Sequence, residues 1–158
     1  MNQAKFASVL FFSAFIAVPS LAYADGDDHH GHDKIGKAGD PAHVTRTVDV
    51  TMHDTMRYNP WNIQAKRGEI IRFNVKNEGK VKHELVLGGV AELKKHAALM
   101  RKFPDMVHDD PNQISVEPGK TGTLVWQFTK AGTVNFGCMQ PGHYEAGMAG
   151  KVIVAAKK

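Results

Sequence analysis

The sequence lacks an apolar run long enough to span a membrane. The longest, Phe6 to Val18, has 13 residues, against roughly 18 or more for a transmembrane helix. Lys5 precedes this run, Pro19 follows it, and Ala22-Tyr23-Ala24 forms a small-x-small cleavage site. We therefore predict a signal peptide at residues 1–24, export to the periplasm and no stable membrane insertion after cleavage. An uncleaved anchor is the alternative.

The sequence also lacks a strong excess of charge of either sign. Residues 1–24 contain one lysine and no acidic residue, so the predicted mature chain has 19 basic and 16 acidic residues, a net charge of +3 with histidine neutral. The basic residues alternate with acidic ones and not with aromatic ones. This pattern predicts a solvated surface and no nucleic-acid partner.

Cysteine is nearly absent, since Cys138 is the only one in 158 residues. An internal disulfide is therefore excluded. In an exported protein a lone thiol is open to oxidation or to pairing between molecules, so its presence needs a reason. Metal ligation is one such reason.

Apolar residues are almost missing between residues 25 and 40, where Asp, His, Gly and Lys dominate. Such a stretch buries too little surface to offset its ordering entropy. We predict a disordered His- and Asp-rich tail over residues 25–43 and one domain over residues 44–158, which is long enough to bury a core.

Within the domain, apolar residues recur with a period of two, which is typical of half-buried β-strands. Examples are the segments EIIRFNVKN and GTLVWQFT. The exception is residues 90–103, where Leu93, Ala97, Met100 and Phe103 follow helical spacing before Pro104. The pattern predicts an all-β fold, a Greek-key β-sandwich with one short helical insertion.

The segment FGCMQPGHYEAGM holds Cys138, His143 and Met148 at regular spacing. It lies between two predicted strands, and its Pro and Gly residues let a short loop curl tightly. Such a loop can aim a thiolate, an imidazole and a thioether at one point. Besides His29, His30 and His32, five histidines could supply a fourth ligand: His43, His53, His83, His96 and His108. His83 is favoured because it opens a strand directly after a turn.

Two imidazoles, one thiolate and a weak axial thioether are the ligands of a type 1 copper site. Zinc is the competing metal, but structural zinc sites are built mostly from Cys and His, so Met148 argues against it. A dinuclear copper centre would need a second cysteine in the loop. A cysteine hydrolase, with Cys138 as nucleophile and His143 as base, lacks a third orienting group.

The spacing of Cys138, His143 and Met148, the upstream His83 and the segment VEPGKTGTLVWQF resemble the cupredoxins over roughly residues 44–158. The segments HELVLG, KFPDMVHDDPN and DGDDHHGH resemble the periplasmic cupredoxins associated with copper tolerance. The resemblance implies one copper ion held by His83, Cys138, His143 and Met148. Many cupredoxins have Asn after the first His ligand. Here that position is Glu84, which leaves the surroundings of the site open.

The resemblance and the tail predict a periplasmic copper-binding redox protein that contributes to copper tolerance and is not an enzyme. A one-electron carrier between redox partners is the alternative, and a cuprous oxidase is a third possibility, which the closed coordination of type 1 sites disfavours. His29, His30 and His32 could bind a second copper ion weakly. Thioether and imidazole groups elsewhere in the chain could form extra copper sites, although methionines more often fill gaps in a core. The candidates are Met52, His53, Met56, Met106 and His108.

Overall fold

The computed structural model describes residues 35–106 and 109–156. The predicted signal peptide, His29, His30, His32 and His108 lie outside these residues. The described chain forms two five-stranded sheets with strand orders β1-β8-β5-β2-β3 and β4-β10-β9-β6-β7. The strands are β1 Lys37–Ala38, β2 Arg46–His53, β3 Arg57–Asn59, β4 Asn62–Lys66, β5 Ile70–Asn77, β6 His83–Gly88, β7 Gln113–Val116, β8 Thr121–Gln127, β9 Gly132–Gly137 and β10 Ala149–Ala155. The predicted β-sandwich is confirmed.

The helical insertion is confirmed as α1, Val90–Lys102. It covers the outer face of β6, so every residue of that strand is buried. Leu93, Ala97 and Met100 pack with Val86 in a cluster separate from the main core. Phe103 caps the helix and remains 54% exposed, so the helical stripe ends one turn earlier than its spacing predicted.

The period of two in the sequence follows the two faces of the sheets. Ile71, Phe73 and Val75 of β5 are buried between polar neighbours, and Leu124 and Trp126 of β8 face them from the adjacent strand. Burial of these side chains between the sheets supplies most of the driving force for folding.

The strand directions bring three connections to one end of the sandwich. Strands β2 and β5 run parallel and finish together, with Met52 opposite Asn77. Strand β6 starts at His83, β9 finishes at Gly137, and β10 starts opposite it at Ala149. The β2–β3 turn, the β5–β6 turn and the β9–β10 loop therefore meet at this end.

The predicted tail boundary at residue 43 is wrong for residues 35–43. Lys37 and Ala38 pair with Gln127 and Trp126, and the indole Nε1–H of Trp126 donates to the Ile35 carbonyl at 3.1 Å. Composition misses this strand because main-chain pairing does not depend on apolar side chains. Within the described residues, the β-sandwich thus already includes β1, well before residue 44.

Candidate metal centre

His83 is placed by a tightly bonded turn. The Asn77 side chain donates to the carbonyls of Val81 and Val116 at 2.8 and 2.9 Å, and its oxygen accepts the Gly79 N–H at 2.9 Å. These bonds fix the chain just before β6, where the His83 side chain is fully buried. The sequence prediction that His83 lies at the same end as the late loop is confirmed.

The β9–β10 loop closes on itself through its backbone. The Cys138 N–H donates to the Met148 carbonyl at 3.1 Å, and the Met148 N–H donates to the His143 carbonyl at 3.0 Å. Gly142 and Gly147 have φ angles of 84° and 90°, which residues other than glycine rarely adopt. The closed loop gathers the three residues, and Met148 packs in the same buried cluster as Cys138.

Three donor atoms converge on one point. The Cys138 Sγ atom lies 3.3 Å from His143 Nδ1 and 3.9 Å from His83 Nδ1, and the two Nδ1 atoms are 3.2 Å apart. In a trigonal site with metal–nitrogen bonds of about 2.0 Å and a metal–sulfur bond of about 2.3 Å, these separations are roughly 3.5 to 3.7 Å. The donor set therefore fits a single ion with only small shifts.

The protonation states suit a metal centre better than a nucleophile. Burial raises the pKa of the Cys138 thiol to about 12, although the N–H groups of Gln140 and Glu84 oppose the shift. The metal-free thiol is thus protonated at neutral pH, which disfavours hydrolase chemistry, and a cation must displace its proton. Burial, followed by the neighbouring His83, lowers the pKa of His143, so its imidazole is neutral and free to ligate.

Glu84 fills the position where many cupredoxins have asparagine. Its backbone N–H donates to Cys138 Sγ at 3.3 Å. Its carboxylate accepts bonds from Ser115 and Gln140 at 2.9 and 2.8 Å, which ties the start of β6 to the loop two residues after the cysteine. The sequence left the hydrogen bonds around the site undetermined. The structure shows that Glu84, whose side chain is longer than that of asparagine, makes hydrogen bonds there.

Two residues near the site escaped sequence analysis. The buried Tyr58 hydroxyl donates to the Glu84 carbonyl at 2.5 Å, and its ring packs edge-on against Phe136 with centroids 5.0 Å apart. Asp54 Oδ1 lies 3.0 Å from His83 Nε2. Neither had a sequence signal, because Tyr58 lies on a three-residue strand and Asp54 on a polar turn.

Four of the predicted accessory residues, Met52, His53, Met56 and Met106, lie in the described part of the chain. Met52 is fully buried in the core, Met56 packs against that core, and Met106 is 39% exposed. His53 Nε2 contacts Thr51 Oγ1 at 3.1 Å. Across residues 35–106 and 109–156, the one grouping of three or more His, Cys, Asp or Glu donors is His83, Cys138 and His143.

Within the part of the chain that the structure describes, no helix is both long and apolar enough to cross a bilayer.

Comparisons with known proteins agree with this geometry. The family described as "Copper binding proteins, plastocyanin/azurin family" matches residues 44–155. A copper-resistant cuproprotein CopI of Rubrivivax gelatinosus is 48% identical over 157 residues, covering 93% of this chain and 94% of the relative. A copper-resistant cuproprotein CopI of Pseudomonas aeruginosa is 36% identical and covers 84% and 88%.

Solved structures match the fold. Reduced auracyanin of Roseiflexus castenholzii superposes with a TM-score of 0.60 at 22% identity, covering 71% of this chain and 98% of that one. Auracyanin A of Chloroflexus aurantiacus gives a TM-score of 0.56 at 23% identity, with coverage of 68% and 97%. The predicted cupredoxin resemblance is confirmed, and the chain belongs to the plastocyanin/azurin family of copper-binding proteins.

Proposed function

We propose that this protein holds one type 1 copper ion through His83, Cys138, His143 and Met148 and contributes to copper tolerance. The main observation in support is that one sulfur and two imidazole nitrogens lie within 3.9 Å of one another. The copper-resistance names of relatives that cover most of this chain support the biological role.

The four side chains suit an ion that changes valence in place. A thiolate favours Cu(II), a thioether favours Cu(I) and imidazoles serve both, so copper bound here would cycle by one electron. His83, Cys138 and Met148 are fully buried, which excludes bulk water from their side of the site. Closed coordination leaves no position for a substrate, so we propose a binding protein without catalytic turnover.

We further propose that the protein acts in the periplasm after cleavage of the predicted signal peptide. Copper that enters the cell envelope would then meet the site before it reaches the cytoplasm. The lone Cys138 is protected there by complete burial, which answers the liability that an exported thiol carries.

Copper tolerance of a deletion strain tests the role. We expect the strain to grow more poorly than its parent in copper, and a plasmid copy of the parent sequence to restore growth. A copy with Cys138→Ser should do no better than an empty plasmid, whereas Asp49→Asn, on the exposed face of β2, should restore growth fully. Immunoblots establish equal protein levels. Equal growth of the deletion strain and the parent would contradict the proposal.

The second function is one-electron transfer between redox partners. The half-buried His143 and the exposed Pro141 and Gly142 place one edge of the site at the surface, where a partner could approach. Fast electron exchange with a purified cytochrome, combined with expression that does not respond to copper, would favour this carrier role over tolerance.

The tail histidines should act apart from the type 1 site. The chain joins the sandwich where Lys37 pairs with Gln127, whereas the other end of β8, Thr121, pairs with Lys76 near the site. Those ends of β8 lie six residues apart, about 20 Å at 3.3 Å per residue. His32 precedes Ile35 by three residues, a reach of about 10 Å, and His29 by six, about 20 Å, so only a fully extended tail directed toward the site would span that distance.

We therefore expect removal of residues 25–34 from the mature chain to leave the visible copper spectrum unchanged. If His29, His30 and His32 bind copper weakly, the truncated protein should bind fewer copper ions per chain in equilibrium dialysis. An altered visible spectrum would show that the tail reaches the centre after all.

A further inference from the structure

Asp54 contacts the ring nitrogen of His83 that faces away from the metal point. The imidazole of His83 presents Nδ1 to Cys138 and His143, and its Nε2 lies 3.0 Å from Asp54 Oδ1. The His83 side chain is fully buried, whereas the Asp54 side chain is 39% exposed. A surface carboxylate thus reaches the interior of the site through the imidazole.

This contact fixes the tautomer of neutral His83. A carboxylate can only accept, so Nε2 carries the proton and Nδ1 keeps its lone pair for a metal. Without an acceptor at Nε2, the proton could occupy either nitrogen, and the molecules that carry it on Nδ1 would be unable to ligate through that atom. The orientation of the ring is fixed by the same bond.

The turn around Asp54 holds its carboxylate in position. Oδ2 accepts the Lys80 N–H at 2.8 Å, which ties the β2–β3 turn to the β5–β6 turn. Gly79 is pressed against the carboxylate so closely that a Cβ there would collide with Asp54 Oδ1. Its φ is not in the left-handed region, so the lack of a side chain serves this close approach.

We propose that Asp54 is a positioning residue that presents His83 Nδ1 to copper and, through its negative charge, favours Cu(II) over Cu(I). The inference rests on the proposed ligand set. A nearby anion stabilises the more highly charged ion, and the buried ring between them keeps water from screening the interaction fully. The position of the charge next to a ligand makes the effect larger than that of other surface carboxylates.

Four variants separate orientation from charge. Asp54→Asn keeps the shape of the side chain and one acceptor oxygen but removes the charge, whereas Asp54→Ala removes the charge and every side-chain acceptor. Gly79→Ala keeps the charge and displaces the carboxylate. Asp49→Asn is the matched control, because it removes one charge from β2, five residues before Asp54 and about 16 Å away at 3.3 Å per residue.

Two measurements on these variants test the two roles of Asp54. For Asp54→Asn we expect the ratio of Cu(II) to Cu(I) affinity to fall about tenfold, which a redox titration records as a rise of about 59 mV. Asp49→Asn should stay near the parent potential. In the metal-free protein above pH 8, nitrogen-15 NMR should show the Nε2–H tautomer of His83 in the parent and in Asp49→Asn, and a mixture in Asp54→Ala and Gly79→Ala.

An Asp54→Asn potential equal to that of Asp49→Asn would overturn the charge role. An unchanged His83 tautomer in Asp54→Ala would overturn the positioning role. The NMR measurement needs no copper, so it distinguishes failure of this inference from failure of the proposed function. The latter would appear as a parent protein that binds copper without visible thiolate absorption.

Discussion

Replacing Cys138 with serine is expected to abolish the intense visible absorption of the copper-loaded protein. The absorption of a type 1 site comes from charge transfer between thiolate sulfur and Cu(II), and a hydroxyl cannot provide it. The serine side chain is slightly smaller and keeps the loop bonds, which are made by the backbone N–H of Cys138 and the carbonyl of Met148. The fold should therefore persist in far-ultraviolet circular dichroism.

His83→Ala tests the ligand from the earlier strand, and His53→Ala is its control. His53 lies on β2 and contacts Thr51 and Glu78 instead of the metal point. We expect His83→Ala to lose the absorption and to bind Cu(II) at least about 10-fold more weakly, and His53→Ala to match the parent. Strong visible absorption in Cys138→Ser would contradict the assignment of Cys138 as a ligand.

The ligand loop could be predicted because its information is local. Cys138, His143 and Met148 lie within eleven residues, and proline and glycine signal the bend between two strands. His83 could be predicted for a related reason, since the turn residues before β6 indicate that a strand begins there. Every strand end lies at one of the two ends of a sandwich, so there are few possible arrangements of His83 relative to the loop.

The surroundings of the site could not be predicted, because they depend on contacts between distant residues. Asp54 lies 29 positions from His83, and Tyr58 lies 26 positions from Glu84. An aspartate in a polar turn is ordinary in any sequence, and only the pairing of β2 with β5 brings this one to the imidazole. The start of the sandwich was missed for a similar reason, since β1 is held by the main chain and by one indole N–H.

The two tryptophans of the chain offer a matched test of stability. Trp126 is fully buried, whereas Trp61 is 57% exposed with the Lys151 ammonium 5.6 Å from its ring. We expect Trp126→Ala to lower the free energy of unfolding by about 3–5 kcal/mol through the cavity that it leaves. Trp61→Ala should cost less than about 1 kcal/mol, because it removes only an exposed cation–π contact.

Urea titration of the metal-free protein, followed by circular dichroism, measures both losses without the added stabilisation that copper gives. A small domain has about 5–15 kcal/mol in total, so Trp126→Ala would leave some molecules unfolded at room temperature if the parent lies at the low end. Equal losses in the two variants would contradict the burial that the structure assigns to Trp126.

Trp126→Phe separates the core role of this residue from its hold on the N-terminal strand. Phenylalanine fills most of the volume but leaves the Ile35 carbonyl without the indole donor. The loss of one buried hydrogen bond costs about 1–3 kcal/mol. We expect faster proteolysis of the chain around Lys37 and Ala38 in this variant, while the visible spectrum of bound copper stays that of the parent, since this strand lies at the end of β8 remote from the site.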